Sequence, residues 1–325
     1  MSETTVDATD LGARLDEHRV ELTAYCYRML GSPFEAEDAV QEAFVRAWRG
    51  FERFEGRASF RSWLYRIATN VCLDMKDAQQ RRARPMDLGP ARSADSELGT
   101  PREETLWIEP VPDARVLTAT SDPAEAAIAK ESVRLAFIAA LQHLPARQRA
   151  VLILREVLRW SAEEVGELLG TSVASVNSAL QRARATLAAK QVSASGRAAD
   201  LTEPQRALVA RYVKAFEQYD MDALTSLLHE DATCNMPPYE LWLQTHLDIR
   251  KWCLGPGIAC QGSRLIPVRA NASPAFGQYK PDPQGGLAPW SVQVLEIKGD
   301  RLSGITFFLD TEHLFPLFGL PAHLD

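Results

Sequence analysis

The 325-residue chain is predicted to be multidomain, with two all-α domains followed by a C-terminal α+β domain. Three observations point there. Apolar residues recur at helical spacing through residues 11–85 and again through 122–190. Between these stretches, residues 86–121 gain Pro, Gly, Ser, Asp and Glu and lose periodicity, which is linker composition. Beyond a small-residue linker at 191–202, residues 203–325 begin with two amphipathic helical segments and continue into Pro- and Gly-punctuated sequence with strand-like runs. No internal repeat is found. An apolar content of 46% and a charged content of 24% are those of a globular protein. No apolar run approaches bilayer length, and MSETTVDATDLG lacks the basic-then-apolar layout of a signal peptide, so a cytoplasmic location is expected. Cys26, Cys72, Cys234, Cys253 and Cys260 form no CxxC pair and no zinc-like spacing with His. Reduced thiols, no metal and no cofactor are expected.

Residues 11–85 break at Gly31-Ser32-Pro33 and at Gly56-Arg57. Ser32 is positioned to cap a helix beginning at Pro33, with Glu35 three residues on to close a capping box. In that helix Ala36, Val40, Phe44, Ala47, Trp48 and Phe51 share one side. Asp38, Gln41, Glu42 and Arg46 lie towards the other, a face that is either solvated or a docking surface. The next helical stretch carries an apolar stripe of Phe60, Trp63, Leu64, Ile67, Val71 and Met75. Its positive charge comes from Arg57, Arg61, Arg66, Lys76, Arg81, Arg82 and Arg84. Rings interleaved with arginines suit opened DNA, because bases stack on rings while cations hold the backbone. A merely basic helix pair has the same pattern.

Leu144 to Lys190 reads as a helix-turn-helix. Ser161 can cap the first helix with Glu164 completing the box, and Val165, Leu168 and Leu169 form its apolar stripe. Gly170 ends it and Thr171-Ser172 lead into the second helix, where Val173, Val176, Leu180, Ala183 and Leu187 face inward. Ser172, Ser175, Asn177, Ser178, Gln181, Arg182 and Arg184 are left outside. Hydroxyls, amides and arginines on an outward helix suit major-groove reading and phosphate contact, and an ordinary helical hairpin is the alternative. Three basic side chains and no acid between residues 172 and 190 favour DNA. The net charge of -7 opposes that reading only until it is divided along the chain. Residues 57–84 hold seven basic against two acidic side chains, whereas residues 86–131 hold four against ten. A phosphate senses the local balance within a screening length of about 8 Å at physiological salt.

The segments LGSPFEAEDAVQEAFVRAWRGF, ASFRSWLYRIATNVCLDMKDAQQRR and LPARQRAVLILREVLRWSAEEVGELLGTSVASVNSALQRARATL resemble the extracytoplasmic-function (ECF) group of bacterial sigma factors. The resemblance covers residues 11–190. It implies two all-α DNA-binding domains, a sigma region 2 helical bundle at 11–85 and a sigma region 4 helix-turn-helix at 122–190. It implies a transcription initiation factor, not an enzyme, whose partners are core RNA polymerase and the -10 and -35 promoter elements. By position, Asp38, Gln41, Glu42 and Arg46 would face the polymerase. Arg57, Ser59, Phe60, Arg61, Trp63, Arg66 and Asn70 would surround the -10 element, with Lys76, Arg81 and Arg82 on the adjacent duplex. Phe60 and Trp63 are either walls of a flipped-base pocket or core, and Asn70, with both a donor and an acceptor, is the better base reader. Ser172, Ser175, Asn177, Ser178, Gln181, Arg182 and Arg184 would read the -35 element. Asn177 and Ala179 depart from the family's frequent Lys or Arg there, which implies modest -35 affinity for the free protein.

In REETLWIEPVPDARV, a tryptophan within an acidic strap suggests an interdomain docking point at Trp107 and Pro110. LWIEPVP resembles the tryptophan-proline linker motif of sigma factors with an extra C-terminal domain. In that domain Leu208, Tyr212, Ala215, Phe216 and Tyr219 line one helix side, a short helix ends at His229-Glu230-Asp231, and WSVQVLEIKGDRLSGITFFLD reads as a hairpin around Lys298-Gly299-Asp300-Arg301. LLHEDATCNMPP and FFLDTEHLFPLFGLP resemble the SnoaL-like branch of the NTF2-like fold, an α+β cone around an apolar pocket. Tyr212, Tyr239, Trp242, His246 and Asp310 are expected in the pocket, with His229 and Asp231 as further polar groups. A small-molecule ligand there and a separate anti-sigma factor are further partners this organisation allows. Two alternatives remain at this level: a helix-turn-helix regulator acting without polymerase, or an enzyme with its site in the cone.

Overall fold

Small residues decide how the first helices pack. The computed structural model describes residues 8–56, 58–77, 81–189 and 201–325. Four helices come first: α1 (Ala8–Asp16), α2 (Arg19–Leu30), α3 (Pro33–Gly50) and α4 (Phe60–Asp77). Ala36, Ala39, Val40, Ala43 and Ala47 are the buried face of α3, and their short side chains let it lie against α2 and α4. Every residue of α2 from Leu22 to Leu30 is buried, and the Tyr25 hydroxyl lies 2.8 Å from that of Thr69 on α4. Gly31 ends α2 at φ 82°, a left-handed conformation glycine adopts without strain. Ser32 accepts the Glu35 N–H as expected. The Glu35 carboxylate does not close the box; it turns instead to Arg82 at 2.7 Å.

Among the described residues five longer helices follow in this unit: α5 (Pro123–Glu131), α6 (Leu135–Gln142), α7 (Ala146–Leu152), α8 (Ala162–Leu169) and α9 (Val173–Ala189), with a π-helical turn at Ile153–Val157 after α7. Residues up to 82 and those from 114 to 189 belong to one compact unit. Polar groups tie its halves together. Arg28 donates to Ser132 Oγ at 2.8 Å, and Arg149 donates to the Met29 carbonyl and, at 2.8 Å, to Gln142 Oε1. Burial depresses both guanidinium pKa values to about 10.

The second unit takes in residues 83–113 and 201–325. Thr202 and Gln205 box the start of α10 (Glu203–Glu217), and α11 (Met221–Leu227) follows. The strands are β1 (Leu228–Asn235), β2 (Trp242–Gln244), β3 (Arg264–Ala270), β4 (Ser273–Pro281), β5 (Leu287–Lys298) and β6 (Arg301–Phe308). Helix α12 (His246–Leu254) lies between β2 and β3, and α13 (Thr311–Leu317) follows β6. They form a single sheet in the order β2-β1-β6-β5-β4-β3, antiparallel except for β1 beside β6. The expected hairpin is β5–β6, closed at Lys298 opposite Arg301 with Gly299 at φ 64°. Tyr212, Phe216, Leu224, Trp252, Leu295 and Ile305 belong to one core between helices and sheet, giving the α+β cone expected of an NTF2-like domain. His229 and Asp231 lie within β1 and not at a helix end, because α11 stops at Leu227.

The segment expected as a linker, residues 86–121, is largely built into this unit. Ile108 donates to the Ala83 carbonyl at 3.2 Å and Ala83 to that of Leu106 at 2.7 Å. Arg92 donates to the Trp242 carbonyl, Trp242 Nε1 to that of Gly89, and Arg102 to that of Pro238, each at 2.9 Å. Val111 donates to Asn271 Oδ1 at 3.0 Å and Ala272 to Asp113 Oδ1 at 2.7 Å. Acidic, proline-rich composition predicts a tether, but backbone pairing of this kind needs no apolar periodicity. Residues 191–200 of the second expected linker lie outside the described residues. Among the described residues no helix is long and apolar enough to cross a membrane.

Candidate nucleic-acid interface

On α3, Asp38, Gln41, Glu42 and Arg46 are all exposed, one helical row spaced by three and four residues. Arg46 reaches Glu42 at 2.7 Å and Asp74 of α4 at 3.0 Å, so the row ends in a small charge network. Val45 and Trp48 extend the same surface, 41% and 47% exposed. Periodicity placed Trp48 inward with Ala47. One residue beyond the buried Ala47, Trp48 lies about 100° further round α3 and turns out.

Around α4 the expected -10 residues divide into two sets. Ser59, Arg66 and Asn70 are exposed, with Ser59 Oγ accepting the Ser62 N–H at 3.0 Å. Phe60 and Trp63 are half-buried and join Phe51 and Phe54 in one ring cluster, with Phe54 and Trp63 centroids 4.9 Å apart. Arg14 lies over the Phe60 ring at 4.4 Å. Phe54 belongs to this surface and was not foreseen; aromatic residues flanking the Gly56 break were the available signal. Arg57 lies outside the described residues.

The other cations are engaged within the protein. Arg61 clasps Glu21 of α2 with Nε at 2.9 Å and Nη2 at 2.7 Å, and lies over the Tyr65 ring. Burial works against the Glu21 carboxylate, yet the hydrogen bonds and charge of Arg61 hold its pKa below the ordinary value. Arg81 is exposed beside His143 Nε2 at 3.0 Å. Arg82 is buried in its pair with Glu35, their side chains 4% and 12% exposed, which corrects its expected place on the duplex. The sequence shows its charge but not an acid 47 residues away. Lys76 is also drawn inward: burial, and then Arg149, push its pKa down to about 8.

The helix-turn-helix forms as expected. Ser161 and Glu164 cap reciprocally at 3.1 and 2.7 Å, and Gly170 sits at φ 63°. Gly166 is required by contact: a Cβ there would come within 2.9 Å of the Thr171 carbonyl in the turn. Val176, Leu180 and Ala183 are buried, while Val173 is 37% exposed and Leu187 half-buried at the helix ends. Ser172, Ser175, Asn177, Ser178, Gln181, Arg182 and Arg184 are all exposed. Arg182 touches Ser178 Oγ at 2.7 Å, and Arg184 pairs with Glu156 at 2.5 Å.

In the second unit a cavity of about 140 Å³ opens between α12, the 3₁₀ turn Pro256–Cys260 and the sheet. None of the five side chains expected there lines it. Tyr212 is fully buried and donates to Gln293 Oε1 at 2.7 Å, and Tyr239 packs on the core. Trp242 is turned to Gly89, and His246 borders a separate open groove with Arg301. Asp310 caps α13 and pairs with His313 at 3.0 Å. Trp107 and Pro110 are buried. All five cysteines are free thiols.

Residues 15–82 match the Sigma-70 region 2 family and residues 134–187 the Sigma-70 region 4 family. The ECF RNA polymerase sigma factor SigG of Mycobacterium tuberculosis is 45% identical over 324 residues, covering 97% of this chain and 85% of that one. SigJ of the same organism is 32% identical over 216 residues, covering 66% and 61%. The crystal structure of M. tuberculosis SigJ superposes with a TM-score of 0.61 at 20% identity, spanning 96% of this chain and 99% of that one, and so shares its fold from the helical regions to the C-terminal sheet. With region 2 and region 4 each matched and a relative this similar along nearly its whole length, the chain belongs to the ECF RNA polymerase sigma factors.

Proposed function

We propose that this sigma factor docks on core RNA polymerase through Asp38, Gln41, Glu42 and Arg46, extended by Val45 and Trp48. It opens the -10 element at the Phe51–Phe54–Phe60–Trp63 ring cluster and reads the -35 element with α9. The observation that carries the reading is the set of polar side chains left outside: Ser59 just before α4, Arg66 and Asn70 along it, and the outward row from Ser172 to Arg184 on α9. Stacking on the rings offsets the few kcal/mol needed to extract a base, and Asn70 supplies edge hydrogen bonds. The chemistry of RNA synthesis stays with the polymerase. The factor works in the cytoplasm, and its C-terminal domain modulates activity through the strap of residues 83–113.

Run-off transcription with purified core polymerase tests both parts. Asp38→Ala with Gln41→Ala lowers co-sedimentation with core polymerase at least tenfold. Asp113→Ala, which releases Arg269 and the Ala272 amide, changes transcript yield at least threefold with core binding intact. Unchanged yield from the strap variant removes modulation, and unchanged sedimentation removes the docking face.

A further inference from the structure

The cavity of the second unit carries a chemical signature. Its volume of about 140 Å³ is close to that of an apolar cavity that admits one benzene ring. Its walls are aromatic and aliphatic: Phe216, Trp252, Trp290 and Phe307 contribute rings, and Met236 and Ile305 fill between them. Polar wall groups are already engaged or neutral. The Tyr219 hydroxyl donates to the Cys253 carbonyl at 2.7 Å, with the Gly257 carbonyl at 2.8 Å. Burial pushes the Cys253 thiol up to about 12 and raises Cys260 as well, so neither is a thiolate nucleophile at neutral pH. No Asp, Glu or His is among the lining residues.

One charge breaks this pattern. Lys280 is the single ionic side chain in the lining, and its Nζ lies 3.3 Å from the centroid of the Trp290 ring. Among the described residues no carboxylate ion pair is recorded for it. A half-buried ammonium held on an indole face at the edge of an apolar cavity is placed to meet an anionic substituent whose body is apolar. The strap supplies the remaining wall: Leu98 lines the cavity and Ala94, 1% exposed, belongs to the surrounding core.

We propose that this cavity binds a small aromatic carboxylate, its single ring enclosed by the aromatic walls, its carboxylate on Lys280, and its far edge against Leu98. The ligand class rests on the reading of this domain as modulatory, and deepens it: occupancy buries Leu98 further and stiffens the strap.

The full-length protein is titrated with 4-fluorobenzoate and, separately, with uncharged fluorobenzene, each followed by fluorine NMR. One saturable site is expected for both. Lys280→Met weakens 4-fluorobenzoate at least tenfold and changes fluorobenzene less than twofold, and the second measurement shows that the variant has kept its fold. Amide exchange across residues 90–104 slows when 4-fluorobenzoate is bound. Absence of saturable binding at about 10 mM, which corresponds to negligible affinity, overturns the proposal. So does 4-fluorobenzoate binding that ignores Lys280→Met. Transcription is read on the same samples. Binding without a change in transcript yield supports the site and removes its modulatory role, while loss of binding leaves the Asp113→Ala experiment standing.

Discussion

The second helix of the helix-turn-helix, α9, and the basic flank of α4 carry the same residue types and use them differently. On α9, every polar side chain from Ser172 to Arg184 that faces out is exposed; Arg182 contacts Ser178 one turn away, and Arg184 pairs with Glu156 while staying exposed. Around α4, Arg61 is committed to Glu21, Arg82 to Glu35, and Lys76 is drawn under the surface. Counting positive charge along the sequence treats both regions alike. The structure separates cations buried in pairs that build the unit from those left exposed on its surface. An exposed arginine changes binding when removed, whereas a buried paired one changes folding.

The largest effect expected from this contrast is on Arg82. Arg82→Ala leaves Glu35 buried without its partner and lowers unfolding free energy by about 3–5 kcal/mol in urea denaturation. Glu35→Leu combined with Arg82→Met recovers most of that loss, because both charges are then gone. A small effect of Arg82→Ala on stability with a large one on DNA binding breaks the comparison. Asn70→Ala comes next. Its stability stays within about 0.5 kcal/mol of the parent, as for an exposed site, while promoter opening, followed by 2-aminopurine fluorescence at the -10 element, slows at least tenfold.

Lys76 sharpens the comparison through pH. Its folded pKa of about 8 lies below the ordinary 10.5, so the unfolded chain binds more protons between these values and stability rises with pH across that window. The penalty is complete below about 8. Lys76→Met stabilises the protein by about 1–2 kcal/mol at pH 7, and the gain shrinks towards pH 10.5. A gain that does not vary with pH removes the buried-charge explanation. The smallest effect belongs to α9: Arg182→Ala weakens -35 binding a few-fold and reduces the slope of log affinity against log salt by about 1, read by fluorescence anisotropy.

Local chemistry made much of the fold legible. Ser161 with Glu164, Gly170 and the Lys298–Arg301 turn are decided within a few residues, and each acts as its side chains require. What escaped depends on partners distant in sequence. Arg82 pairs across 47 residues with Glu35. The cavity was misread for a related reason. Its walls are mainly apolar side chains gathered from α10, α11, α12, the turn at Pro256–Cys260, the strap and strands β1 and β4 to β6, whereas the expected lining consisted of polar residues. The strap escaped because edge pairing uses main-chain groups that every composition carries.

Residues 83 and 113 are where the chain enters and leaves the second unit by way of the strap. A free coil of that length would fluctuate about an end-to-end distance of roughly 30 Å. Anchored by the Ala83–Ile108 pairing at one end and the Asn271–Ala272 corner at the other, the interval instead becomes a ruler of fixed gauge. Extra residues inserted near Gly99 would bulge outward without lengthening that interval, whereas a single side chain at the corner governs whether the ruler holds.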